Sequence, residues 1–402
     1  MKAGWQRKTI DAVCHVLNGG TPKTSVAEYW DGPHQWITPA EMGRRITPYI
    51  AQTERTITDA GLQNSSARLL PERSVILSTR APIGHLAINT APMATNQGCK
   101  GLVPRDGLDS KYLYYYLASI VPLLNELGTG ATFRELSGGK LKEVPVPVAP
   151  LPEQQRIAAI LDEAFDGIAT AKANAEKNLQ NARALFESHL QSVFTKRGEG
   201  WVETPLSELC DIKHGYAFEG EFFSSEGDYV LLTPGNFYEK GGYRDRGEKQ
   251  KYYIGEIPRD YVLNEGDLLV AMTEQAAGLL GSPILVPESD KFLHNQRLGL
   301  VTKKSGAAWT NEFFFHVFNT QTVRKDIHGS ASGVKVRHTS PTKIGQVVVA
   351  FPTSTIEQKR IVATLASLAD ETQRLESVYR QKLTALDDLK KSLLHRAFSG
   401  KI

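Results

Sequence analysis

The stretch PLPEQQRIAAILD (Pro150 to Asp162) marks the change of texture that decides the fold. Before it the chain is rich in Gly, Pro and aromatic residues, with short β-like runs such as Ser74 to Leu77. After it Pro disappears and nearly all Gly with it. From Pro152 to Lys196, apolar or small residues fall at Ile157, Leu161, Ala164, Ile168, Ala171, Ala175, Leu179, Ala182, Phe186, His189 and Val193, mostly in steps of three and four. That spacing predicts one apolar stripe on a helix of about 45 residues, roughly 65 Å long. Pro152 suits a first helical turn, Glu153 suits its positive end, and Gly198 sits where a stop belongs.

The same signal returns as IEQKRIV (Ile356 to Val362). It leads into a second stripe of Ile361, Leu365, Leu368, Leu375, Tyr379, Leu383, Leu386, Leu389, Leu393 and Ala397, with Gly400 beyond. Outward from these two anchors the chain repeats itself. Trp5, Ile10, Val13, Cys14 and Gly19 answer Trp201, Leu206, Leu209, Cys210 and Gly215 at a constant offset of 196. Ile37-Thr38-Pro39 answers Leu232-Thr233-Pro234, Asn96-Gln97 answers Asn295-Gln296, and Phe194 answers Phe398. A long-period repeat of this kind sets the architecture before any local detail does.

Two copies of one plan predict an α+β chain with pseudo-two-fold symmetry: a head at residues 1–151, a long helix at 152–197, a second head at 198–355 and a second long helix at 356–402. Each head is expected to hold a mixed β-sheet with helices. The two stripes are expected to bury each other as an antiparallel coiled coil, which would set the heads at opposite ends of a dumbbell. Two similar but non-identical heads on a stiff spacer suit a ligand with two parts a fixed distance apart. Duplex DNA is one, since half-sites about one helical turn apart, roughly 34 to 36 Å, present the same face. A tether that binds only proteins fits the same geometry.

Composition narrows the field. With 402 residues, 41% hydrophobic and 23% charged, the chain suits two or three folded domains. No apolar run reaches the roughly 18 residues of a spanning helix, and the start lacks the apolar core of a secretory signal, so a cytoplasmic protein is expected. Cys14, Cys99 and Cys210 are widely spaced and read as reduced packing residues. The ten histidines form no ligand-like cluster, so no metal site is expected. Net charge is +3, distributed as +4, −1, −3 and +3 over the four segments. If the acidic second head binds DNA, its basic residues must gather on one face.

Enzyme signatures are missing from the sequence. There is no GxxxxGK[ST], HExxH, GxSxG or complete GxGxxG, and no Asn-Pro-Pro or Asp-Pro-Pro run of the amino-methyltransferases. A stand-alone methyltransferase or nuclease would need motifs unlike these.

GGTPKT (Gly19 to Thr24), EYWDGPHQWITPAEM (Glu28 to Met42), STRAPIGHLAI (Ser78 to Ile88), NQGCKGL (Asn96 to Leu102), YLYYYL (Tyr112 to Leu117), PLPEQQRIAAILD, IEQKRIV and the C-terminal LLHRAFSGKI together resemble the specificity subunits of type I restriction-modification systems. The resemblance covers essentially the whole chain. It implies two target recognition domains reading the halves of a bipartite asymmetric DNA sequence, with paired helices as ruler and no catalytic site. It also implies two modification subunits that use S-adenosylmethionine to methylate adenine, and restriction subunits that use ATP and Mg²⁺. Those cofactors would belong to the partners. The second half departs most, with HGYAF (His214 to Phe218) and AMTEQAAGLLG (Ala271 to Gly281) in place of GGTP and STRAPIG.

For phosphate contact the residue types point to Lys23 with Thr24, Arg44, Arg45 and Arg80 in the first head, and to Arg244, Arg246, Lys335 and Arg337 in the second. Forked or amide side chains that match base edges are Arg134, Asn96, Gln97, Asn236, Gln275, Asn295, Gln296 and His338. The two Asn-Gln pairs could instead stabilise turns. Tyr112 to Tyr116 reads as a packed helix rather than a base-stacking platform. For the modification subunits the candidate contacts are Arg183, Phe194, Arg380 and Phe398, on the long helices.

Overall fold

The computed structural model describes residues 4–130, 134–274 and 278–402. The chain forms two compact units, Met1–Glu176 with Arg380–Ile402, and Lys177–Tyr379. Each unit takes one head and a part of both long helices. The reason is burial, because each helical stripe covers its head as well as the other helix.

In the first unit, strand Gln6–Thr9 pairs antiparallel with Pro145–Val148, returning the chain to its start just before the long helix Leu151–Lys196. A five-stranded sheet runs Cys14–Asn18, Cys99–Pro104, Val75–Thr79, Ile83–Asn89, Tyr49–Ile50, with only the last pairing parallel. A three-stranded sheet sets Trp30–Ile37 between Arg55–Ile57 and Met93–Thr95. The core joins Val75, Leu77 and Leu102 of the sheet to Tyr112, Leu113 and Leu117 of the helix Ser110–Ser119, to Ile157 and Leu161 of the first long helix, and to Leu394 and Ala397 of the second. The tyrosine run is core, as its setting predicts. The Tyr112 hydroxyl donates to Pro147 O at 2.6 Å and that of Tyr115 to Asp162 at 2.5 Å, so the polar tips are satisfied within the fold.

The second unit repeats the plan. Trp201–Pro205 pairs antiparallel with Val348–Pro352 ahead of the long helix Thr355–Phe398. One four-stranded sheet runs Cys210–His214, Leu298–Lys303, Leu268–Ala271, Pro283–Leu285, and a second runs Phe223–Ser224, Tyr252–Tyr253, Tyr229–Leu231, Phe292–Leu293. Phe313, Phe314 and Phe318 pack with Leu190, Ile361 and Leu365 of the helices. All three cysteines are buried and unpaired, and burial pushes each thiol up to about 12.

Within each unit the long helices run antiparallel. In the first, Arg156 donates to Ile402 O at 2.9 Å and Lys172 pairs with Asp387 at 2.7 Å. In the second, Arg183 pairs with Glu376 at 3.1 Å, while Val193 and Ile361 line one cleft. The EQ(Q/K)RI motif has a structural meaning in both. Gln154 is fully buried; its amide donates to Ala149 O at 2.7 Å and Gly107 O at 2.9 Å. Gln358, also fully buried, donates to Ala308 O at 2.8 Å and Pro352 O at 3.0 Å. The flanking Glu153–Arg156 and Glu357–Arg360 pairs, both at 2.7 Å, span one turn.

Candidate nucleic-acid interface

Backbone hydrogen bonds gather the motif loops of the first head into one cluster. Gly20 N donates to Thr95 O at 2.8 Å, Thr79 N to Gly98 O at 2.8 Å, and Leu136 N to Thr79 O at 2.9 Å. Segments 19–24, 78–80, 95–98 and 134–138 thereby share one end of the head. Gly19 permits this, since a Cβ there would stand 2.0 Å from Asn96 O. The second head is built alike: Tyr216 N donates to His294 O at 2.9 Å, Met272 N to Arg297 O at 3.0 Å and Thr339 N to Met272 O at 3.0 Å. A Cβ on Gly215 would meet Asn295 O at 2.2 Å.

This construction decides which candidate side chains face outward. Lys23, Thr24, Arg44, Gln97 and Arg134 are exposed in the first head, and Arg80 is half-buried at 3.8 Å from Glu135. In the second, Arg244, Gln296, Lys335 and His338 are exposed; Arg244 lies 6.0 Å from the ring of Tyr238, and His338 Nδ1 meets Thr273 Oγ1 at 3.1 Å. Arg246 is half-buried with its guanidinium against Gly235. Gln275 lies outside the described residues.

Several candidates are occupied elsewhere. Asn236 is buried at 1% exposure, its carbonyl oxygen accepting from Thr233 N at 2.9 Å and its amide donating to Gln250 at 3.0 Å, so it builds a turn and reaches no base edge. Asn96 accepts from Gly98 N at 2.8 Å and Asn295 from Arg297 N at 3.0 Å, so the side-chain oxygen of each stabilises a turn. Arg45 leans on the buried carboxylate of Glu41 at 3.4 Å, whose proton affinity burial raises. On the helices, Phe398 stands edge-on to Tyr112 and Tyr116 at 5.1 and 5.3 Å, and Phe194 packs on Phe313 and Trp201 at 5.4 and 5.7 Å. Both rings pack within their own units and remain partly exposed. Arg183 is exposed beside Glu376, and Arg380 is exposed.

A group that the residue types alone did not reveal lies under the second loop cluster. Glu274 is 2% exposed, and its Oε2 accepts from the backbone N–H groups of Gly278, Leu279 and Leu280 at 3.1, 3.0 and 2.9 Å. Among the described residues its Oε1 has no hydrogen-bond partner, and it faces Arg337 and His328, each at 3.6 Å. Arg337 also donates to His328 O, so it is pinned rather than free for phosphate. Arg324 donates to Gly278 O; burial holds its guanidinium down to about 10, and lowers His328 against the pull of Glu274. The only sequence signal was the replacement of STRAPIG by AMTEQAAGLLG. Among the described residues, no group of three His, Cys, Asp or Glu is placed to hold a metal ion, and no helix is long and apolar enough to cross a membrane.

Residues 2–180 and 198–385, one stretch for each copy of the repeat, both match the family described as the type I restriction modification DNA specificity domain. The chain belongs to this family. A type I restriction enzyme MjaIX specificity subunit of Methanocaldococcus jannaschii is 38% identical over 186 residues, covering 46% of this chain and 43% of that one. An EcoR124I/EcoR124II specificity subunit of Escherichia coli is 31% identical over 166 residues, 40% of each chain. These alignments span less than half the length of either relative. The fold extends over the whole specificity chain. A chain solved in work on complex assembly and conformational transition of the type I R-M system superposes with a TM-score of 0.76 at 16% identity, covering 100% of this chain and 99% of that one. The HsdS subunit of Thermoanaerobacter tengcongensis gives 0.68 at 16% identity, covering 100% and 98%.

Proposed function

We propose that this chain is the DNA sequence-recognition subunit of a type I restriction-modification complex, each head reading one half of a bipartite asymmetric target. The observation that carries this reading is the doubled loop cluster: two units of one family build the same loop end from equivalent segments, yet display different side chains on it. Similar scaffolds with different outward residues suit two unlike half-sites, with the paired helices as the ruler between them.

The chain's own part in the reaction is binding and positioning. Exposed Lys23, Arg44, Arg244 and Lys335 neutralise phosphates, and Gln97, Arg134, Gln296 and His338 face base edges. Methyl transfer from S-adenosylmethionine to adenine N6 belongs to two modification subunits, docked along the exposed faces of the long helices that carry Arg183 and Arg380. ATP- and Mg²⁺-dependent restriction belongs to further subunits. A soluble assembly of this kind works on cytoplasmic DNA.

Exchanging residues 1–151 for the corresponding head of a relative tests the reading. Sequencing of methylated adenines in cells carrying the assembled complex should show one half-site changed and the other kept. Change in both halves, or in neither, overturns independent readout. Charge reversal by Arg183→Glu with Arg380→Glu should weaken assembly with the modification subunits, measured by co-purification; unaltered assembly removes this helix face from the proposal.

A further inference from the structure

We propose that Arg337 reads a guanine in the half-site recognised by the second head, and that Glu274 is the positioning residue that aims it. The proposal rests on the DNA-recognition reading above and adds to it the base and the residue that orients its reader.

Thr273–Glu274 and Arg337–His338 pair antiparallel with Glu274 directly opposite Arg337, at the loop end of the head. Three backbone N–H groups fix one oxygen of Glu274, which leaves the other to face the guanidinium of Arg337 at 3.6 Å. A donor on the same guanidinium is taken by His328 O, and Nη1 lies 3.4 Å from His328 Nδ1. One edge of the fork is therefore held from within. The side chain remains 35% exposed, and its neighbours Lys335 and His338 are exposed.

A held fork and a free one do different work. A phosphate clamp draws on net charge and needs no fixed orientation, and a buried carboxylate beside it subtracts from that attraction. Directional donation to the O6 and N7 of guanine gains from a preset orientation and loses little from a neutralised charge. Glu274 is thus a burden on a phosphate contact and an asset to base reading. The first head lacks the device. Aligning the STRAPIG and AMTEQAAGLLG segments sets Ala81 where the second head has Glu274, and Arg134, which answers Arg337 in the repeat, is exposed. The two heads differ at the position where unlike half-sites require it.

The experiment uses the full chain assembled with its modification subunits, on duplexes carrying the target found from methylated adenines. Each guanine of the second half-site is replaced in turn by 7-deazaguanine, which keeps Watson–Crick pairing and deletes N7. One position should cost the wild type about ten-fold in affinity, the low end of what a bidentate contact contributes, because O6 is retained. The same replacement should cost nothing in Arg337→Met, and about three-fold in Glu274→Gln, whose shape is retained while the charge is lost. Arg337→Lys should lose the discrimination yet keep the salt dependence. Unchanged thermal unfolding and intact preference in the first half-site separate aim from folding. A half-site without guanine on either strand, or a 7-deaza cost that persists in Arg337→Met, overturns the proposal while leaving DNA recognition standing. A wild-type complex that prefers no duplex over another overturns both.

Discussion

Asp109 donates its backbone N–H to Oε1 of Gln154 at 2.9 Å, and with its own carboxylate caps the helix Ser110–Ser119 by accepting from Tyr112 N at 2.9 Å. One amide on the first turn of the long helix thus fixes the start of the helix that carries the tyrosine core. Gln358 repeats the arrangement, accepting from Thr310 Oγ1 at 3.1 Å just ahead of the phenylalanine helix Asn311–Phe318. The conspicuous Glu-Gln of the motif is a latch between head and helix.

Replacing that latch leaves buried backbone groups without partners. Gln154→Ala should therefore destabilise by about 2 to 4 kcal/mol, more than an ordinary hydrogen bond contributes, because two carbonyls and one N–H lose their partner together. Gln358→Ala should cost a similar amount. Urea unfolding monitored by tryptophan fluorescence measures both, and a loss below about 1 kcal/mol in each would show that water replaces the amide freely.

The aromatic ends of the long helices give a second expectation. Phe398 fills the gap between Tyr112 and Tyr116, and Phe194 does the same against Phe313 and Trp201. Both rings are partly buried, so truncation to Ala should cost about 2 to 3 kcal/mol, below the range for fully buried phenylalanine. Hydrogen exchange should show protection lost at Tyr112 in Phe398→Ala and at Phe313 in Phe194→Ala. Exchange unchanged at both places would mean the clusters hold without their helix-borne ring.

The repeat, the two long helices and the burial of the tyrosine run were legible because they depend on periodicity and on equivalent spacing, which the sequence displays directly. The site was only partly legible. Asn96, Asn236 and Asn295 have the right functional groups for base edges, but amides also complete turns, and only the path of the backbone separates the two uses. Arg337 is ambiguous for a related reason. Its partner Glu274 lies 63 positions earlier in the chain, and nothing local announces that strand pairing brings the two together. The division into compact units was not legible for a third reason: a stripe shows that a helix is buried, without naming what covers it.

A buried histidine, His294, and a half-buried one, His316, make the second unit sensitive to acid. His294 is fully buried; its Nε2 lies 2.9 Å from Leu298 O, to which it donates, and its buried Nδ1 has no partner among the described residues. Burial pulls His294 and His316 down to about 4. Above the unfolded value near pH 6.5 both states are neutral and stability is unaffected. Between about 6.5 and 4 the unfolded chain binds protons that the folded one refuses, so stability falls as pH falls, by up to about 3 kcal/mol for each histidine at the lower limit. Calorimetry between pH 7 and pH 4.5 should show this decline, and His316→Phe should reduce it. A flat profile over that range would contradict neutral burial.

Arg44 and Arg45 are adjacent and chemically identical, yet should behave differently. Arg44 pairs with Glu54 at 2.5 Å, but both side chains are more than 60% exposed, and such a pair contributes little to stability. Arg44→Ala should therefore leave unfolding within about 0.5 kcal/mol of the wild type while reducing the slope of log affinity against log salt by about one, the signature of one lost phosphate contact. Arg45 faces Glu41, a carboxylate 6% exposed that also accepts from Glu54 N at 3.3 Å. Arg45→Ala strands that charge and should destabilise by about 1 to 2 kcal/mol. Salt titration of DNA affinity beside thermal unfolding of the two variants separates the roles. Equal effects of both substitutions on both measurements would mean that burial of Glu41 does not divide structural from contacting arginine at this loop.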